Sequence, residues 1–306
     1  MLKDYSALHA QAMGANRQTL AVVEAGDHEV IEACVKAHHE GVADSLFIGN
    51  PDKILAAAAT VGLKPAPSTL IPSQSPEESV RIAATLVREG RASMLMKGHL
   101  PTAALMKGVL DKENGLRTGS VLSHVMVAYA TNLDRWLLMS DAGLNIAPDA
   151  DMLAAIVRNA VAVAHSLGIT RPKVACLSAV EVENPKIPST LLCAEMKKRN
   201  EKGDISGCLV EGPMAIDLAL SQFAVKAKEY PTNGVAGAAD VLIVPELVSG
   251  NVLGKAFIYC ASYRCSGIIV GARVPIVLLS RSDTADVKLD SIALACVYAQ
   301  FHKVTS

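Results

Sequence analysis

The stretch that decides the fold is residues 19–49, which contains Thr19-Leu-Ala-Val-Val23, Asp27-His-Glu-Val-Ile-Glu-Ala-Cys-Val-Lys-Ala37 and Asp44-Ser-Leu-Phe-Ile-Gly49. The first and last segments are short apolar runs, which is typical of buried strands. The middle segment has apolar residues at the i, i+1, i+4 and i+5 positions of a helix, and Asp27 is placed to cap that helix. Strand, helix and strand in this order predict a βαβ unit with a right-handed crossover.

The same alternation continues along the chain. Ser75-Pro-Glu-Glu78 has the spacing of a capping box and predicts a helix through Val87, and residues 149–167 predict another. Further strands are predicted at 93–96, 136–139, 174–177, 207–210, 240–244, 256–259, 267–270 and 275–279. This alternation predicts an α/β fold with mainly parallel sheets flanked by helices. Because 306 residues are too many for one such sheet, we expect two α/β lobes, with a first boundary near the turn at 140–148.

The composition restricts the class of partner. Apolar residues make up 51% of the chain and aromatic residues only 4%, so Ala, Val, Leu and Ile must build the core. A net charge of -1 gives no electrostatic reason to bind nucleic acid or an anionic membrane. No run of 18 apolar residues exists, and the first residues lack the basic-then-apolar layout of a signal peptide. We therefore expect a cytoplasmic protein.

The cysteines and histidines do not form metal motifs. Seven cysteines are irregularly spaced without a Cys-x-x-Cys pair, which favours free thiols that behave as small hydrophobic side chains. The eight histidines include no His-x-x-x-His pair, and the acidic residues show no metal-loop pattern. The sequence therefore predicts no tightly bound metal.

The segment Val274-Pro-Ile-Val-Leu-Leu-Ser-Arg-Ser-Asp-Thr-Ala-Asp286 ends an apolar run with reactive side chains. A strand that delivers a hydroxyl (Ser280), a guanidinium (Arg281) and two carboxylates (Asp283 and Asp286) to its carboxyl end has the layout of an α/β active site. The alternative is a Ser/Asp cap on the next helix, with Arg281 solvated.

Four other loops follow strands and contain unusual polar residues. They are Lys97-Gly-His-Leu-Pro-Thr102 leading to Lys107, Leu116-Arg-Thr-Gly-Ser120, Ser140-Asp-Ala-Gly-Leu-Asn145, and Pro245-Glu-Leu-Val-Ser-Gly-Asn-Val-Leu-Gly-Lys255. A glycine after a strand lets the backbone approach a ligand, and a helix N-terminus favours an anion. In the last loop, Gly250-Asn251 is predicted to open a helix that carries Lys255 on the same face as Asn251. Each loop could equally be an ordinary turn or cap.

Taken together, these segments resemble the phosphate acetyltransferase/phosphate butyryltransferase family, from about residue 90 to the C-terminus. The matching segments are Lys97–Thr102, Leu116-Arg-Thr-Gly-Ser-Val-Leu-Ser-His124, Ser140–Asn145, Gly212-Pro-Met-Ala-Ile-Asp217, residues 239–251 with Lys255, and Val274–Arg281. The Leu-Arg-Thr-Gly and Ser-Arg-Ser-Asp versions resemble the butyryltransferase branch more than the acetyltransferase branch.

The resemblance implies a reaction and an architecture. The reaction is acyl-CoA + phosphate = acyl phosphate + CoA, with a short-chain acyl group, coenzyme A as a substrate and no tightly bound cofactor or metal. The implied protein is a homodimer of two-lobed chains with the active site in the interlobe cleft. The C-terminal segment would complete the first lobe, so that residues 1–132 and 282–306 form one lobe and residues 133–281 the other.

The resemblance also implies roles for residues. Ser280 would donate to the transition state and Arg281 would bind phosphate, which suits a hydroxyl aimed at an oxyanion and a guanidinium fork. A carboxylate would take the CoA thiol proton. In the acetyltransferase branch this carboxylate lies seven residues after the serine, where this chain has Val287, so Asp286 and Asp283 are both candidates and we favour Asp286. Further candidates are Lys97, Gly98, His99, Thr102, Lys107 and Arg117 for phosphate or acyl binding, and Gly250, Asn251 and Lys255 for CoA. Lys107 stands where the acetyltransferases have an arginine.

Two other functions are compatible with parts of the pattern. One is a two-lobed hydroxy-acid dehydrogenase that depends on NAD and a metal, but Gly-x-Gly-x-x-Gly and a strand-end Asp-x-x-x-Asp pair are absent. The other is a non-catalytic homologue that binds CoA or phosphate. A turnover assay separates all three.

Overall fold

The computed structural model of this protein describes residues 1–14, 17–231, 234–278, 280 and 283–305. It divides into two compact units. The first unit consists of Tyr5–Ser120 and the chain from Ser266 onward, and the second consists of Met1–Asp4 and Val121–Cys265. These bounds differ from the lobes expected above, because the strand at 123–130 pairs with the strand at 135–140 and both lie in the second unit. The assignment of functional lobes as 1–132 with 282–306 and 133–281 stays a prediction.

The N-terminal part of the first unit alternates helices and strands as predicted. Its elements are α1 (Tyr5–Ala12), β1 (Gln18–Val23), α2 (His28–His39), β2 (Ala43–Gly49), α3 (Pro51–Thr60), β3 (Leu70–Pro72), α4 (Pro76–Arg88), β4 (Met94–Lys97) and α5 (Thr102–Val109). The Asp27 carboxylate accepts a hydrogen bond from the Val30 amide at 3.0 Å and so caps α2. The Ser75 hydroxyl accepts from the Glu78 amide at 3.2 Å and caps α4. Both predicted caps are confirmed.

The second unit also mixes helices and strands. Its elements are β5 (Ser123–Ala130), β6 (Arg135–Ser140), α6 (Ala150–Ser166), β7 (Lys173–Leu177), α7 (Pro188–Glu201), β8 (Leu209–Met214), α8 (Ile216–Leu220), α9 (Gln222–Ala227), β9 (Val241–Ile243) and α10 (Leu247–Tyr259). The strands run in the order β5-β6-β9-β7-β8. The β5–β6 pair is antiparallel and the other pairs are parallel.

The C-terminal part of the chain completes the first unit with β10 (Arg264–Val270), β11 (Ile276–Val277) and α11 (Ala285–Thr305). The strand order of this unit is β3-β2-β1-β4-β11-β10, and all its pairs are parallel except β10–β11. Parallel neighbours bring the carboxyl ends of β1, β4 and β11 to the same edge of the sheet. The α11 helix is buried from Lys288 to Ala299 and packs on α1 and α2.

The α/β class with mainly parallel sheets is confirmed, and most predicted strands match observed ones. One strand is wrong: residues 256–259 form the last turn of α10. A second, predicted at 207–210, is observed as Leu209–Met214, and the strand at 123–130 was not predicted. Within the described residues, no helix is both long enough and apolar enough to span a bilayer.

Candidate functional site

A small pocket in the first unit lies where β4 and β11 end. It is lined by Asp27, Val30, Met96, Lys97, Gly98, His99, Ser280 and Lys288. The strand ends supply Lys97 and the residues after it, whereas α2 supplies Asp27 and Val30 and α11 supplies Lys288. Segments that are distant in sequence therefore place a hydroxyl, an imidazole, two amines and a carboxylate around one space.

The turn after β4 is held against the end of β1 by backbone contacts. The Gly98 amide donates to the Val23 carbonyl at 2.8 Å, and the His99 amide donates to the Glu24 carbonyl at 2.7 Å. A Cβ on Gly98 would lie 2.2 Å from the Glu24 carbonyl oxygen, so only glycine fits this approach. The Lys97 ammonium donates to the carbonyls of Gly98 (3.1 Å) and Leu100. Of the loop residues predicted from the sequence, Lys97, Gly98 and His99 are brought together here.

Three predicted ligands in the same part of the chain do not line this pocket. Thr102 is the first residue of α5 and Lys107 is an exposed residue of its last turn. Arg117 is exposed and forms an isolated antiparallel bridge with Ala272. The pocket therefore gives no support to their predicted roles in phosphate or acyl binding.

The segment after β11 contributes Ser280 to the pocket. The Ser280 amide donates to the Asp283 carboxylate at 2.8 Å, and the Ser280 carbonyl accepts from the Asp283 amide at 3.2 Å. These two hydrogen bonds join the backbone of Ser280 to Asp283. Arg281, the predicted phosphate ligand, lies outside the described residues.

Asp286 does not face the pocket. Its side chain is 74% exposed and accepts a hydrogen bond at 2.8 Å from the ammonium of Lys36 on α2. The reason is the start of α11 at Ala285, which directs the next residue outward toward α2. The preference for Asp286 over Asp283 as the proton acceptor therefore lacks geometric support, since Asp283 is the carboxylate bonded to Ser280.

The sequence did not indicate two of the pocket residues. Asp27 was interpreted only as a helix cap, yet it also borders the pocket. Lys288 also lines the pocket, only 5% of it is exposed, and its ammonium donates to the Asp283 carbonyl. The sequence gives no clear signal for it, because Leu289-Asp-Ser291 separates Lys288 from the apolar run Ile292-Ala-Leu-Ala-Cys-Val297.

The predicted CoA residues lie on α10 in the second unit. This helix begins at Leu247 and not at Gly250, because the Glu246 carboxylate accepts from the amides of Val248 (2.7 Å) and Ser249 (2.8 Å). Hydrogen bonds from Ser249 hold the pKa of Glu246 below its usual value. A Cβ on Gly250 would lie 2.5 Å from the Asp141 carbonyl oxygen, so this glycine permits close packing. Asn251 and Lys255 are both exposed.

The loop against which Gly250 packs is organised by one buried carboxylate. Asp141 accepts hydrogen bonds from the amides of His124 (3.1 Å), Gly143 (2.9 Å) and Asn145 (3.1 Å). Residues 140–145 therefore form a polar turn, and Gly250 at the start of α10 packs against it.

The thiols are unsuited to nucleophilic chemistry where they are buried. Burial raises the pKa of Cys34 and Cys193 to about 12 and that of Cys208 to about 11. A thiol in this state carries almost no thiolate near neutral pH. In the described part of the chain, no group of three or more His, Cys, Asp or Glu side chains is arranged to hold a metal ion.

Comparison with known proteins identifies relatives along the whole chain. Residues 73–296 match the family model described as phosphate acetyl/butaryl transferase. The phosphate butyryltransferase of Clostridium acetobutylicum is 39% identical over 98% of this chain and 99% of its own length. The phosphate acetyltransferase of Thermotoga maritima is 38% identical over 92% of this chain and 95% of its own length.

Solved structures agree with these matches. The branched-chain phosphotransacylase of Enterococcus faecalis is similar with a TM-score of 0.79 and 32% identity, over 92% of this chain and 99% of that one. A putative 4-hydroxythreonine-4-phosphate dehydrogenase of Salmonella typhimurium gives a TM-score of 0.57 at 14% identity, over 92% of this chain and 100% of that one. The second likeness concerns the fold alone.

Proposed function

This chain belongs to the phosphate acetyl/butaryl transferase family, and from that membership we propose that it moves a short-chain acyl group between coenzyme A and inorganic phosphate. It is an acyltransferase. The overall reaction is acyl-CoA + phosphate = acyl phosphate + CoA. The relatives favour the butyryltransferase branch, as the Leu116-Arg-Thr-Gly119 and Ser280-Arg-Ser-Asp283 segments do.

The observation that supports the site is the pocket that joins Ser280 with Lys97 and His99 at the ends of two parallel strands. In the direction of CoA release, a phosphate oxygen attacks the thioester carbonyl and forms a tetrahedral oxyanion, which collapses and expels the CoA thiolate. The Ser280 hydroxyl is a donor for that oxyanion. Lys97 and His99 add positive charge or N–H donors where the phosphate oxygens gather.

Two further roles are proposed on resemblance. Arg281 binds phosphate through its guanidinium fork, which holds two oxygens at once. Gly250, Asn251 and Lys255 bind CoA on α10, where the exposed amide and ammonium of the last two residues are available to a phosphorylated ligand.

A carboxylate is needed to take the thiol proton in the reverse direction, because an unperturbed thiol has a pKa of about 8.5. Asp283 is the better placed of the two sequence candidates, since it is hydrogen-bonded to the backbone of Ser280 whereas Asp286 pairs with Lys36. We therefore propose Asp283 for this role.

The test of the function is release of free thiol from acyl-CoA. Protein treated with EDTA is mixed with acetyl-, butyryl- or isovaleryl-CoA, with and without inorganic phosphate. We expect release that requires phosphate and no added metal. Absence of phosphate-dependent release across the panel contradicts the proposal, and metal-dependent reduction of NAD would favour the dehydrogenase alternative.

We also propose that the protein is a homodimer, as the family resemblance implies. The exposed apolar side chains of Val248, Val252 and Tyr259 on α10, which are 67%, 62% and 72% exposed, support a covered surface in the second unit. Light scattering at the mass of one chain would contradict this. The cytoplasmic location stays a prediction from the sequence.

A further inference from the structure

Lys288 is a buried cation at the border of the pocket. Only 5% of the residue is exposed, and it lines the pocket. Among the residues that the structure describes, the one recorded hydrogen bond of its ammonium goes to the Asp283 carbonyl, and no carboxylate forms an ion pair with it. Its position therefore differs from that of Lys36, which is half-buried and paired with two carboxylates.

A buried ammonium that borders a pocket favours the binding of a negatively charged ligand there. Buried charges in proteins are nearly always paired, because removing an ion from water costs several kcal/mol unless a counter-charge offsets it. An ammonium has three N–H donors, and the Asp283 carbonyl accepts one of them. The remaining donors border a pocket that also holds Lys97.

Asp27 is the carboxylate that lines the pocket among the residues that the structure describes. Its Oδ1 caps α2 by accepting from the Val30 amide, and it does not form an ion pair with Lys288. Within the described part of the pocket, Lys288 therefore has no carboxylate partner.

We infer that Lys288 binds the phosphoryl oxygens of inorganic phosphate or of the acyl phosphate, while its ammonium also donates to the Asp283 carbonyl. This inference rests on the proposed function and adds a specific ligand to it. CoA also carries phosphate groups, so inorganic phosphate and CoA must be tested separately.

The experiment compares Lys288→Met and Lys288→Gln with Lys36→Met as the matched control. Glutamine keeps a donor for the Asp283 carbonyl and removes only the charge, whereas Lys36 contacts the same helix from the outer surface. The KM for phosphate and the KM for acyl-CoA are measured, and so is the rise in Tm caused by inorganic phosphate or by CoA.

We expect both Lys288 variants to raise the phosphate KM by roughly 10- to 100-fold, as loss of a charge-assisted hydrogen bond does. The Tm rise with phosphate should be lost while the rise with CoA and the KM for acyl-CoA stay near the values of the starting protein. A lysine that is only structural would lower Tm equally with and without phosphate. A phosphate KM unchanged in Lys288→Gln overturns the inference, and so does loss of CoA stabilisation in place of phosphate stabilisation.

Two further measurements distinguish failure of the inference from failure of the variants to fold or of the protein to turn over acyl-CoA. If both variants fail to fold, the unaltered protein is labelled with pyridoxal phosphate and borohydride, and the labelled lysines are mapped by mass spectrometry. Protection of Lys288 from labelling by inorganic phosphate supports the inference. Equal labelling of Lys288 with and without phosphate overturns it. The Tm arm needs no turnover. Loss of phosphate stabilisation in the variants therefore supports the anion site even if the unaltered protein fails the thiol-release assay.

Discussion

Ser280 lines the pocket and is bonded to Asp283 through its backbone. The Ser280 amide donates to the Asp283 carboxylate, and the Ser280 carbonyl accepts from the Asp283 amide. These two hydrogen bonds do not involve the serine side chain, so a substitution at this position leaves both groups that form them in place.

We expect Ser280→Ala to lower kcat with little change in KM, because the hydroxyl acts on the transition state. Donors at oxyanion sites contribute about 2–4 kcal/mol, which corresponds to roughly 10²- to 10³-fold in kcat. Steady-state kinetics of thiol release measure it. Thr284→Ala is the control, because it also removes a hydroxyl from this segment. The Thr284 hydroxyl accepts a hydrogen bond from the Val287 amide. Equal losses in the two variants would remove Ser280 from the proposed chemistry.

The pH dependence of the reverse reaction distinguishes Asp283 from Asp286 as the group that takes the thiol proton. Asp283→Asn should slow the reaction of acyl phosphate with CoA at about pH 6–7 and recover partly near pH 9.5, where the thiol ionises without help. Asp286→Asn should stay active across this range because its side chain lies on the surface with Lys36. The opposite result, with rescue of Asp286→Asn alone, would restore the assignment favoured by the sequence.

The sequence predicts Ser280 at a strand end because an apolar run followed by polar residues marks such an end, and its role in catalysis stays a prediction. It could not separate Asp283 from Asp286, since the choice depends on the residue at which α11 starts, and a helix start shifts by one or two residues without a clear signal. Lys288 was missed for a related reason: a lysine on a helix is usually solvated, and only the packing of α11 shows that this one is buried.

At the scale of elements, the misread residues 256–259 show a limit of local patterns. Ala256-Phe-Ile-Tyr259 is apolar and aromatic like a strand, but Gly250, Gly254 and Phe257 are the buried residues of one helix face, with the i, i+4, i+7 spacing. The helical spacing of these buried positions is not visible in the hydrophobic pattern, because two of the three residues are glycines and lack an apolar side chain. Parallel strands and capped helices, by contrast, were predictable because their signals are local.

The turn after β4 gives a prediction at this scale. Gly98→Ala places a Cβ against the carbonyl oxygens of Glu24 (2.2 Å) and Val23 (2.7 Å), which belong to backbone that cannot move alone. We expect the free energy of unfolding to fall by about 1–3 kcal/mol or more, with a loss of activity. Denaturant titration measures it against Gly143→Ala, whose added Cβ would make ordinary contacts at 3.5 Å. Similar stabilities of the two variants would show that the turn is not tightly packed.

At the scale of the molecule, the first and last helices of the sequence meet in the first unit. His9 on α1 is bonded through Nε2 to the buried Asp290 on α11 (2.8 Å) and through Nδ1 to Glu40 (2.9 Å). The hydrogen bond that His9 donates to the Asp290 carboxylate is the main cause that raises the pKa of His9 above its usual value. Packing between these distant segments, as opposed to their local sequence, creates this interaction.

The raised pKa predicts how stability depends on pH. The charged pair contributes fully below the unfolded pKa of His9, about 6.5, and its contribution is lost as pH rises through the higher folded pKa. We expect the difference in Tm between the unaltered protein and His9→Asn to be larger near pH 6 than near pH 9. Asp290→Asn should largely remove that pH dependence, because a neutral amide cannot favour the imidazolium. A Tm difference that is constant with pH would contradict the assignment.

The first unit is built from segments that the ribosome makes far apart in time. Residues 121–265 are complete before β11 and α11 have been synthesised, so β4 waits with one hydrogen-bonding edge open until β11 arrives beside it. An open strand edge is a site for mispairing with another nascent chain and for chaperone binding. Met96 and Lys97 belong to this strand and also line the pocket, and Ser280 and Lys288 from the segments that follow line it too, so the same late segments cover the edge and supply the remaining pocket residues.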